Sequence, residues 1–230
     1  MSAIRLGTRA STLATTQSEM VAGLLRSEGL DVNLTTITTH GDTSTASLAA
    51  MGGIGVFASA IRAALLEGEA DIAVHSFKDL PTGRPLGLAI GAVPARADPR
   101  DALVARDGLT LHDLPQEASV GTGSPRRAAQ LLAVRPDLTI VDIRGNVDTR
   151  LGRVKGLGRY AKNGGKEDLD AVVLAASGLA RLGHSGAVTE FLDPSVVLPA
   201  PAQGSARSRP RYNGRTPQAM WSHLSKAPPP

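Results

Sequence analysis

Residues 121–150 read GTGSPRRAAQLLAVRPDLTIVDIRGNVDTR, and this stretch decides the fold of the chain. A turn of glycine and small hydroxyl residues leads into apolar residues at helical spacing, and Pro136 ends that helix. Residues 138–141 form a short apolar run with β-branched side chains, which predicts a strand. The same alternation of strands and helices along the chain predicts a mixed α/β fold with mainly parallel pairing.

Arginines follow two predicted strand ends around this stretch. A helix N-terminus presents backbone N–H groups and a favourable dipole to an anion, and arginine adds a planar fork that binds a carboxylate or phosphate. Because ligands of open α/β sheets bind outside the carboxyl ends of the strands, the pattern predicts an anion site. The alternative to an anion site is that these arginines are ordinary solvent-exposed surface residues. The side chains concerned are Thr122, Ser124, Arg126, Arg127, Arg144 and Arg150.

The first part of the chain repeats the arrangement. Arg9 and Ser11 follow a predicted strand at residues 4–8, and Lys78 and Asp79 follow another at residues 71–75. We expect the strand ends of two α/β units to face one cationic cleft that holds a single carboxylate. That carboxylate is either an ion-pair partner or a group for acid/base work and cation stabilisation. In the same region, His75 is predicted to be a core residue.

Two α/β domains followed by a tail are predicted. The polar residues 95–101 mark a crossing between the domains, and residues 88–93 are a predicted strand of the first. Residues 195–199 are a predicted strand that returns to the first domain. The predicted bounds are 1–95 with 195–204 for the first domain, 100–193 for the second, and 205–230 for the tail.

The tail differs from the rest of the chain in composition. It holds five prolines, five of the 25 bases and none of the 21 acids, so the remaining chain has 20 bases against 21 acids. The basic pI therefore belongs to the tail, and the nearly neutral remainder gives little support to a nucleic-acid binder. Because the tail lacks helical or strand periodicity, we predict that it is disordered and that cutting after Gly204 leaves the melting temperature unchanged.

Composition also excludes several kinds of site. The chain has no cysteine, which rules out disulfides and thiolate ligands within these residues, and His40 with Asp42 is too sparse for a metal site. No apolar run approaches membrane-spanning length, and the N-terminal residues lack the apolar segment of a signal peptide. We therefore expect a cytoplasmic monomer without metal, nucleic-acid or membrane partners.

Six motifs in order resemble one family over about residues 3–204. They are GTRAS at 7–11, VHSFKDLP at 74–81, DPRD at 98–101, VGTGSPRR at 120–127, RGNVDTR at 144–150 and LPAPAQG at 198–204. The chain is similar to porphobilinogen deaminases, also called hydroxymethylbilane synthases. The resemblance implies two periplasmic-binding-protein-like domains and a smaller third α+β domain. It also implies a transferase that joins four porphobilinogen molecules to hydroxymethylbilane, with loss of ammonia, in porphyrin and haem biosynthesis.

The resemblance implies roles for individual residues. Asp79 corresponds to the catalytic aspartate, and Asp42 and Phe57 correspond to further cleft positions. The positions that hold the family's dipyrromethane cofactor are Ser76, Lys78, Asp79, Thr122, Ser124, Arg126, Arg127 and Gln203. Those that bind the carboxylates of porphobilinogen or of the growing polypyrrole chain are Arg9, Ser11, Arg144 and Arg150.

The sequence departs from the family after Gln203 and Gly204. In the family, a strand and a third domain follow, and a cysteine of that domain carries the dipyrromethane; here a basic, proline-rich segment follows. The sequence therefore predicts a truncated or frameshifted third domain and poor synthesis of hydroxymethylbilane, because no thiol tethers the cofactor. The alternative function is a non-catalytic cytoplasmic carboxylate-binding module of periplasmic-binding type.

Overall fold

The computed structural model describes residues 3–38, 58–83 and 86–210. The chain divides into two compact units, unit 1 with Met1–Ala97 and Gly204–Pro230, and unit 2 with Asp98–Gln203. Each unit combines a mixed β-sheet with helices, which confirms the predicted α/β class. Among the described residues, no helix has both the length and the apolar character needed to cross a bilayer.

The secondary-structure elements are numbered here in chain order. The strands are β1 (Ile4–Thr8), β2 (Val32–Thr36), β3 (Ile72–Ser76), β4 (Asp101–Ala105), β5 (Ser119–Gly121), β6 (Thr139–Val141), β7 (Ala171–Ala175), β8 (Glu190–Leu192) and β9 (Ala206–Pro210). The helices are α1 (Thr12–Ser27), α2 (Ser59–Glu67), α3 (Pro125–Val134), α4 (Val147–Leu151) and α5 (Ala176–Arg181).

In unit 1, the described strands form a sheet in the order β2-β1-β3-β9. β1 pairs in parallel with β2 and β3, and β9 runs antiparallel to β3. Because strand side chains alternate between faces, Ile72 and Val74 of β3 pack with α1, whereas Ala73 packs with Ile61 and Leu65 of α2. Both faces of β3 are therefore covered, which explains its continuous apolar run.

In unit 2, the described strands form a sheet in the order β6-β5-β7-β4-β8. β5 pairs in parallel with β6 and β7, whereas β4 lies antiparallel between β7 and β8. Leu103 packs on the face that holds Leu131 of α3, and Val104 packs on the face that holds Leu151 and Leu179. All five residues of β4 are buried, so this strand is a central element of the unit.

Two predicted strands do not form in the structure. Residues 88–93 instead run beside β9, and the Gly91 N–H donates to the Ser208 carbonyl at 3.0 Å. Residues 195–199 are irregular, and the Leu198 N–H donates to the Gln130 side chain at 2.8 Å. Residues 195–203 lie in unit 2, which corrects their assignment to the first domain. An apolar run alone does not identify the partner against which it packs.

The prediction of a disordered tail from Ser205 is wrong for residues 205–210. All five residues of β9 pair with β3, and Ser208 is fully buried. The Ser208 hydroxyl accepts from the Ala92 N–H at 2.8 Å and donates to the Ala92 carbonyl at 3.2 Å. An edge strand offers backbone donors and acceptors to a neighbouring segment of almost any composition. Residues 211–230 lie outside the described residues.

The strand β9 brings buried positive charge into unit 1. Arg207 and Arg209 are 8% and 4% exposed, and the Arg207 guanidinium lies 4.3 Å from the ring centroid of Phe77. Burial lowers the pKa of Arg209, and repulsion from Arg62 lowers it further. Burial also lowers the pKa of His75 to about 4, and nearby arginines contribute to this shift. His75 is therefore neutral at neutral pH, and it lies half-buried near the end of β3, outside the apolar core clusters.

We expect Ser208→Ala to lower the free energy of unfolding by about 1–3 kcal/mol, because the buried Ala92 N–H loses its hydroxyl partner. Urea denaturation measures this change. Ser27→Ala is the control, because the Ser27 hydroxyl bonds the Leu24 carbonyl at an exposed site. Equal effects of the two substitutions would show that the buried Ser208 hydroxyl adds no more stability than an exposed one.

We expect Arg209→Met to raise the melting temperature of unit 1. Methionine keeps much of the side-chain volume and removes a buried charge whose Nε has no hydrogen-bond partner among the described residues. Arg153→Met is the control, because it removes a partly exposed ion pair with Asp168 and is expected to change the melting temperature little. A large drop for Arg209→Met would mean that the guanidinium stabilises the unit.

Candidate functional site

The unit 1 residues of the predicted site lie at one edge of the sheet. Arg9 and Ser11 follow β1, Ser76 ends β3, and Lys78 and Asp79 lie in the single 3-10 turn after it. Because β1 and β3 are parallel neighbours, their carboxyl ends share this edge. The structure thus brings together the site residues that the sequence assigned to the first domain.

Asp79 combines an accessible side chain with a perturbed carboxyl group. The residue is exposed, yet the surrounding protein raises its pKa by desolvation, and the positive charges of Lys78 and Arg9 oppose that rise. The net shift is upward, so enclosure outweighs the two cations. A carboxyl group in such a place is poised to exchange protons closer to neutral pH than an ordinary aspartate.

The two serines of unit 1 differ in their contacts. The Ser76 hydroxyl donates to Oε1 of the buried Gln17 at 3.1 Å, which joins the end of β3 to α1. Ser11 stands at the N-cap position of α1, but its hydroxyl makes no capping hydrogen bond. Ser76 therefore has a structural contact, whereas Ser11 keeps a partly accessible hydroxyl at the sheet edge.

The hydroxyl-rich turn of unit 2 shapes the N-terminus of α3. The Ser124 hydroxyl caps the helix by accepting from the Arg127 N–H at 3.5 Å, and the Thr122 hydroxyl accepts from the Ser124 N–H at 3.2 Å. A Cβ on Gly123 would lie 2.7 Å from the Ile143 carbonyl oxygen, so the turn requires glycine there. These hydroxyl groups thus hold the backbone that carries the arginines.

The adjacent arginines share one buried carboxylate. Nη2 of Arg126 and Nη2 of Arg127 donate to the two oxygens of Asp101 at 2.7 and 2.6 Å. Nε2 of Gln203 donates to Asp101 Oδ1 at 2.7 Å, and Nη1 of Arg127 donates to the Val173 carbonyl at 3.1 Å. Burial alone would raise the pKa of Asp101, but these charge-assisted bonds outweigh it and lower the pKa.

The sequence analysis assigns no role to Asp101. Its residues 98–101 belong to the predicted crossing at 95–101 and to one of the family motifs, whereas in the structure Asp101 begins the buried strand β4. An acid at the start of an apolar strand is a usable signal, because a buried carboxylate requires cationic or polar partners. Two adjacent arginines elsewhere in the sequence could supply them.

The second arginine cluster lies around the start of α4. Asn146 caps this helix by accepting from the Thr149 N–H at 2.8 Å. Gly145 adopts a φ of 102°, and its carbonyl accepts from Nε of Arg150 at 2.9 Å. The RGNVDTR motif thus forms a capped turn that fixes the base of the Arg150 side chain.

The two arginine clusters of unit 2 interact electrostatically. Burial lowers the pKa of Arg150, repulsion from Arg127 and Arg144 lowers it further, and Asp142 opposes the shift. In the part of the chain that the structure describes, buried Nη1 of Arg144 and Nε of Arg127 have no hydrogen-bond partner. Three guanidinium groups within reach of one another form a region that favours anions.

The remaining predicted site residues are Gln203, Asp42 and Phe57. Gln203 is buried, with its amide directed to Asp101 and to the Pro99 carbonyl at 2.8 Å. Asp42 and Phe57 lie outside the described residues. Within residues 3–38, 58–83 and 86–210, no group of three or more metal-binding His, Cys, Asp or Glu side chains occurs.

Comparison with solved structures identifies the fold. A periplasmic substrate-binding protein of an ABC transporter from Coxiella burnetii matches with a TM-score of 0.55 and 15% identity, covering 96% of this chain and 91% of that one. A nutrient-binding protein from Burkholderia cenocepacia, bound to methionine, matches with a TM-score of 0.53 and 15% identity, covering 96% and 89%. The fold is therefore periplasmic-binding-protein-like, as predicted.

Sequence comparison identifies the family. A family model described as "Porphobilinogen deaminase, dipyromethane cofactor binding domain" matches residues 4–209. The porphobilinogen deaminase of Micrococcus luteus is 59% identical over 89% of this chain and 56% of its own length. That of Leifsonia xyli is 58% identical over 88% and 59%. The chain thus spans less than two thirds of these relatives, and it belongs to the porphobilinogen deaminase family.

Proposed function

We propose that this chain carries the cofactor-binding and porphobilinogen-condensing part of a hydroxymethylbilane synthase. In this reaction, four porphobilinogen molecules are joined head to tail, and each loses ammonia. Every pyrrole ring carries an acetate and a propionate, so the growing product is a polyanion. Membership of the family supports the proposal, as do the cationic side chains at strand and helix ends in each unit.

The observation that carries the proposal is that Arg150 is desolvated near Arg127 and Arg144: burial lowers its pKa most, and the two neighbouring positive charges lower it further. Like charges in a partly desolvated place destabilise one another unless an anion joins them. The carboxylates of acetate and propionate groups can neutralise these charges, because each can accept two parallel hydrogen bonds from a guanidinium. A solvated arginine surface would not lower the proton affinity of Arg150 in this way.

The donors of the chain fit the dipyrromethane cofactor. Guanidinium groups suit its carboxylates, and Arg144 Nη1 and Arg127 Nε are buried donors without partners among the described residues. When bound, the dipyrromethane supplies the nucleophilic pyrrole end from which the product grows. The 230 residues contain no cysteine, so their contribution to holding the cofactor is through hydrogen bonds and charge. The residues that would hold it are Ser76, Lys78, Asp79, Thr122, Ser124, Arg126, Arg127 and Gln203.

These residues would act in two ways. The Thr122 and Ser124 hydroxyls accept hydrogen bonds from backbone N–H groups, and the Gln203 amide donates one to Asp101. We propose that these three side chains hold the backbone and the arginines of the site in place. Lys78 and Arg126 have cationic heads that suit ligand carboxylates. Arg9, Ser11, Arg144 and Arg150 would bind the carboxylates of porphobilinogen and of the polypyrrole chain.

Asp79 is the group we propose for the chemical step. As ammonia leaves porphobilinogen, positive charge develops on the pyrrole and its methylene carbon, and a carboxylate beside it lowers the energy of that state. The raised pKa of Asp79 suits it to accept and return pyrrole protons. Lys78 and Arg9 oppose the rise in pKa and so favour the ionised form. A cytoplasmic location and a monomeric state remain predictions from the sequence.

We expect Arg150→Met to weaken binding of a synthetic dipyrromethane, used as a short piece of the polypyrrole chain with its acetate and propionate groups, by about tenfold or more, because a charge-assisted bond is lost. Isothermal calorimetry measures the dissociation constant. Arg153→Met is the matched control: Arg153 lies three residues on and pairs with the exposed Asp168. Equal losses in both variants would contradict the proposed site.

The same titration separates the proposed enzyme from a general carboxylate-binding module. The proposed function requires the dipyrromethane to bind more tightly than succinate, because the chain must recognise several carboxylates on one rigid frame. A module that binds simple carboxylates would bind succinate at least as well. That result, with porphobilinogen left unconsumed, would overturn the proposal.

We expect Asp79→Asn to raise the free energy of unfolding of unit 1 at neutral pH. The pKa of Asp79 is above 3.8 in the folded chain, so ionisation costs more in the folded than in the unfolded state. The advantage of the variant must disappear below pH 3.8, where both states are protonated. Denaturation at several pH values measures this difference.

Asp137→Asn is the control for that measurement and has the opposite sign. The Arg135 hydrogen bond lowers the pKa of Asp137 to about 2, so its removal should destabilise the chain at neutral pH. A loss of stability for Asp79→Asn at neutral pH would show that Asp79 is an ordinary ion-pair partner, which is the alternative that the sequence left open.

A further inference from the structure

We propose that Asp101 is a positioning residue that fixes Arg126 and Arg127 in the geometry that recognises ligand carboxylates. The proposal rests on the proposed function and adds a residue to it. Asp101 does not reach the ligand itself, because its side chain is fully buried and three donors already occupy its oxygens. It acts through the arginines.

The position of Asp101 in the sheet makes it a rigid anchor. It pairs with Ala175 of β7 and with Leu192 of β8, so its backbone is held from both sides. The two arginines start from the first turn of α3, and each has a long side chain with many rotamers. One carboxylate that receives both guanidinium groups removes much of this freedom before a ligand arrives.

The contacts of the two arginines divide their roles. Arg127 is 6% exposed and bonds both Asp101 and the Val173 carbonyl, so it is almost wholly committed to the fold. The Arg126 side chain keeps 28% exposure, and its Nη1 bonds the Leu198 carbonyl. Arg126 is therefore the member of the pair that presents charge outward, and Asp101 sets its direction.

Asp101 also sets the net charge of the pair. One carboxylate against two guanidinium groups leaves a single positive charge, which limits repulsion with the neighbouring arginines of unit 2. Because Gln203 binds the same carboxylate, the end of unit 2 is joined to the arginine pair. A neutral amide at position 101 would loosen both arginines and leave their charges uncompensated.

The test compares Asp101→Asn with Asp170→Asn. Asp170 is another buried carboxylate of unit 2, bonded to Arg106 and Lys155. It lies at the opposite end of the β4–β7 pair from Asp101, because Asp101 is opposite Ala175 and Ala105 is opposite Ala171. The two variants therefore remove similar buried charges at different distances from Arg126.

Calorimetry with the synthetic dipyrromethane should show about tenfold or weaker binding for Asp101→Asn and unchanged binding for Asp170→Asn. Both variants should lose thermal stability, so affinity is the readout that separates positioning from support of the fold. Unchanged or tighter binding by folded Asp101→Asn would overturn the proposal, as would an equal loss of affinity in Asp170→Asn.

A second variant keeps the proposal testable if Asp101→Asn does not fold. Asp101→Glu keeps the charge but moves the carboxylate, so its affinity for the dipyrromethane should be intermediate. In that case, wild-type affinity in Asp101→Glu would overturn the proposal. Nitrogen-15 relaxation of the arginine Nε–H groups should show Arg126 and Arg127 ordered in the wild type and mobile in the variants. If the wild type fails to bind dipyrromethane, the proposed function fails, and unchanged arginine order would then overturn the positioning role separately.

Discussion

A single buried carboxylate, that of Asp101, sets the arrangement of unit 2 around its arginines. It receives hydrogen bonds from Arg126, Arg127 and Gln203, which come from the start of a helix and from the end of the unit. Removing it would leave buried charge uncompensated, which is far more costly than losing an exposed ion pair. The orientation of the arginines that we propose for ligand binding therefore depends on a buried group that is itself out of the ligand's reach.

The two units hold their positive charge in different ways. In unit 2, capped turns and Asp101 orient the arginines, and the remaining repulsion around Arg150 favours an anion. In unit 1, Arg209 is buried beside Arg62, on a face that also contains His75. The first arrangement is the one that we propose binds polycarboxylates. The second follows from the residues that occupy β9, and we expect it to lower the stability of the unit.

Local patterns predicted much of this structure, and distant partners account for what they missed. Helical spacing after Ser124 identified α3, because a helix depends on neighbours in sequence. The partners of Asp101 lie 25 or more residues away in the sequence, so no helical or strand periodicity around Asp101 could identify them. β9 was missed for a related reason: β3 accepts it through backbone bonds, whereas its arginines and serine suggest disorder. Among site residues, motifs located the arginines but could not show which groups they bond.

The antiparallel strand β9 has a consequence for the order in which the chain folds. Unit 1 begins at the N-terminus, but the part of its sheet that the structure describes includes residues 206–210, which pair with β3. Unit 2 consists of one continuous segment, Asp98–Gln203. During synthesis on the ribosome, unit 2 can therefore close while unit 1 still exposes the free edge of β3. That edge is open to chaperones, or to wrong strands, for the time needed to make more than a hundred residues.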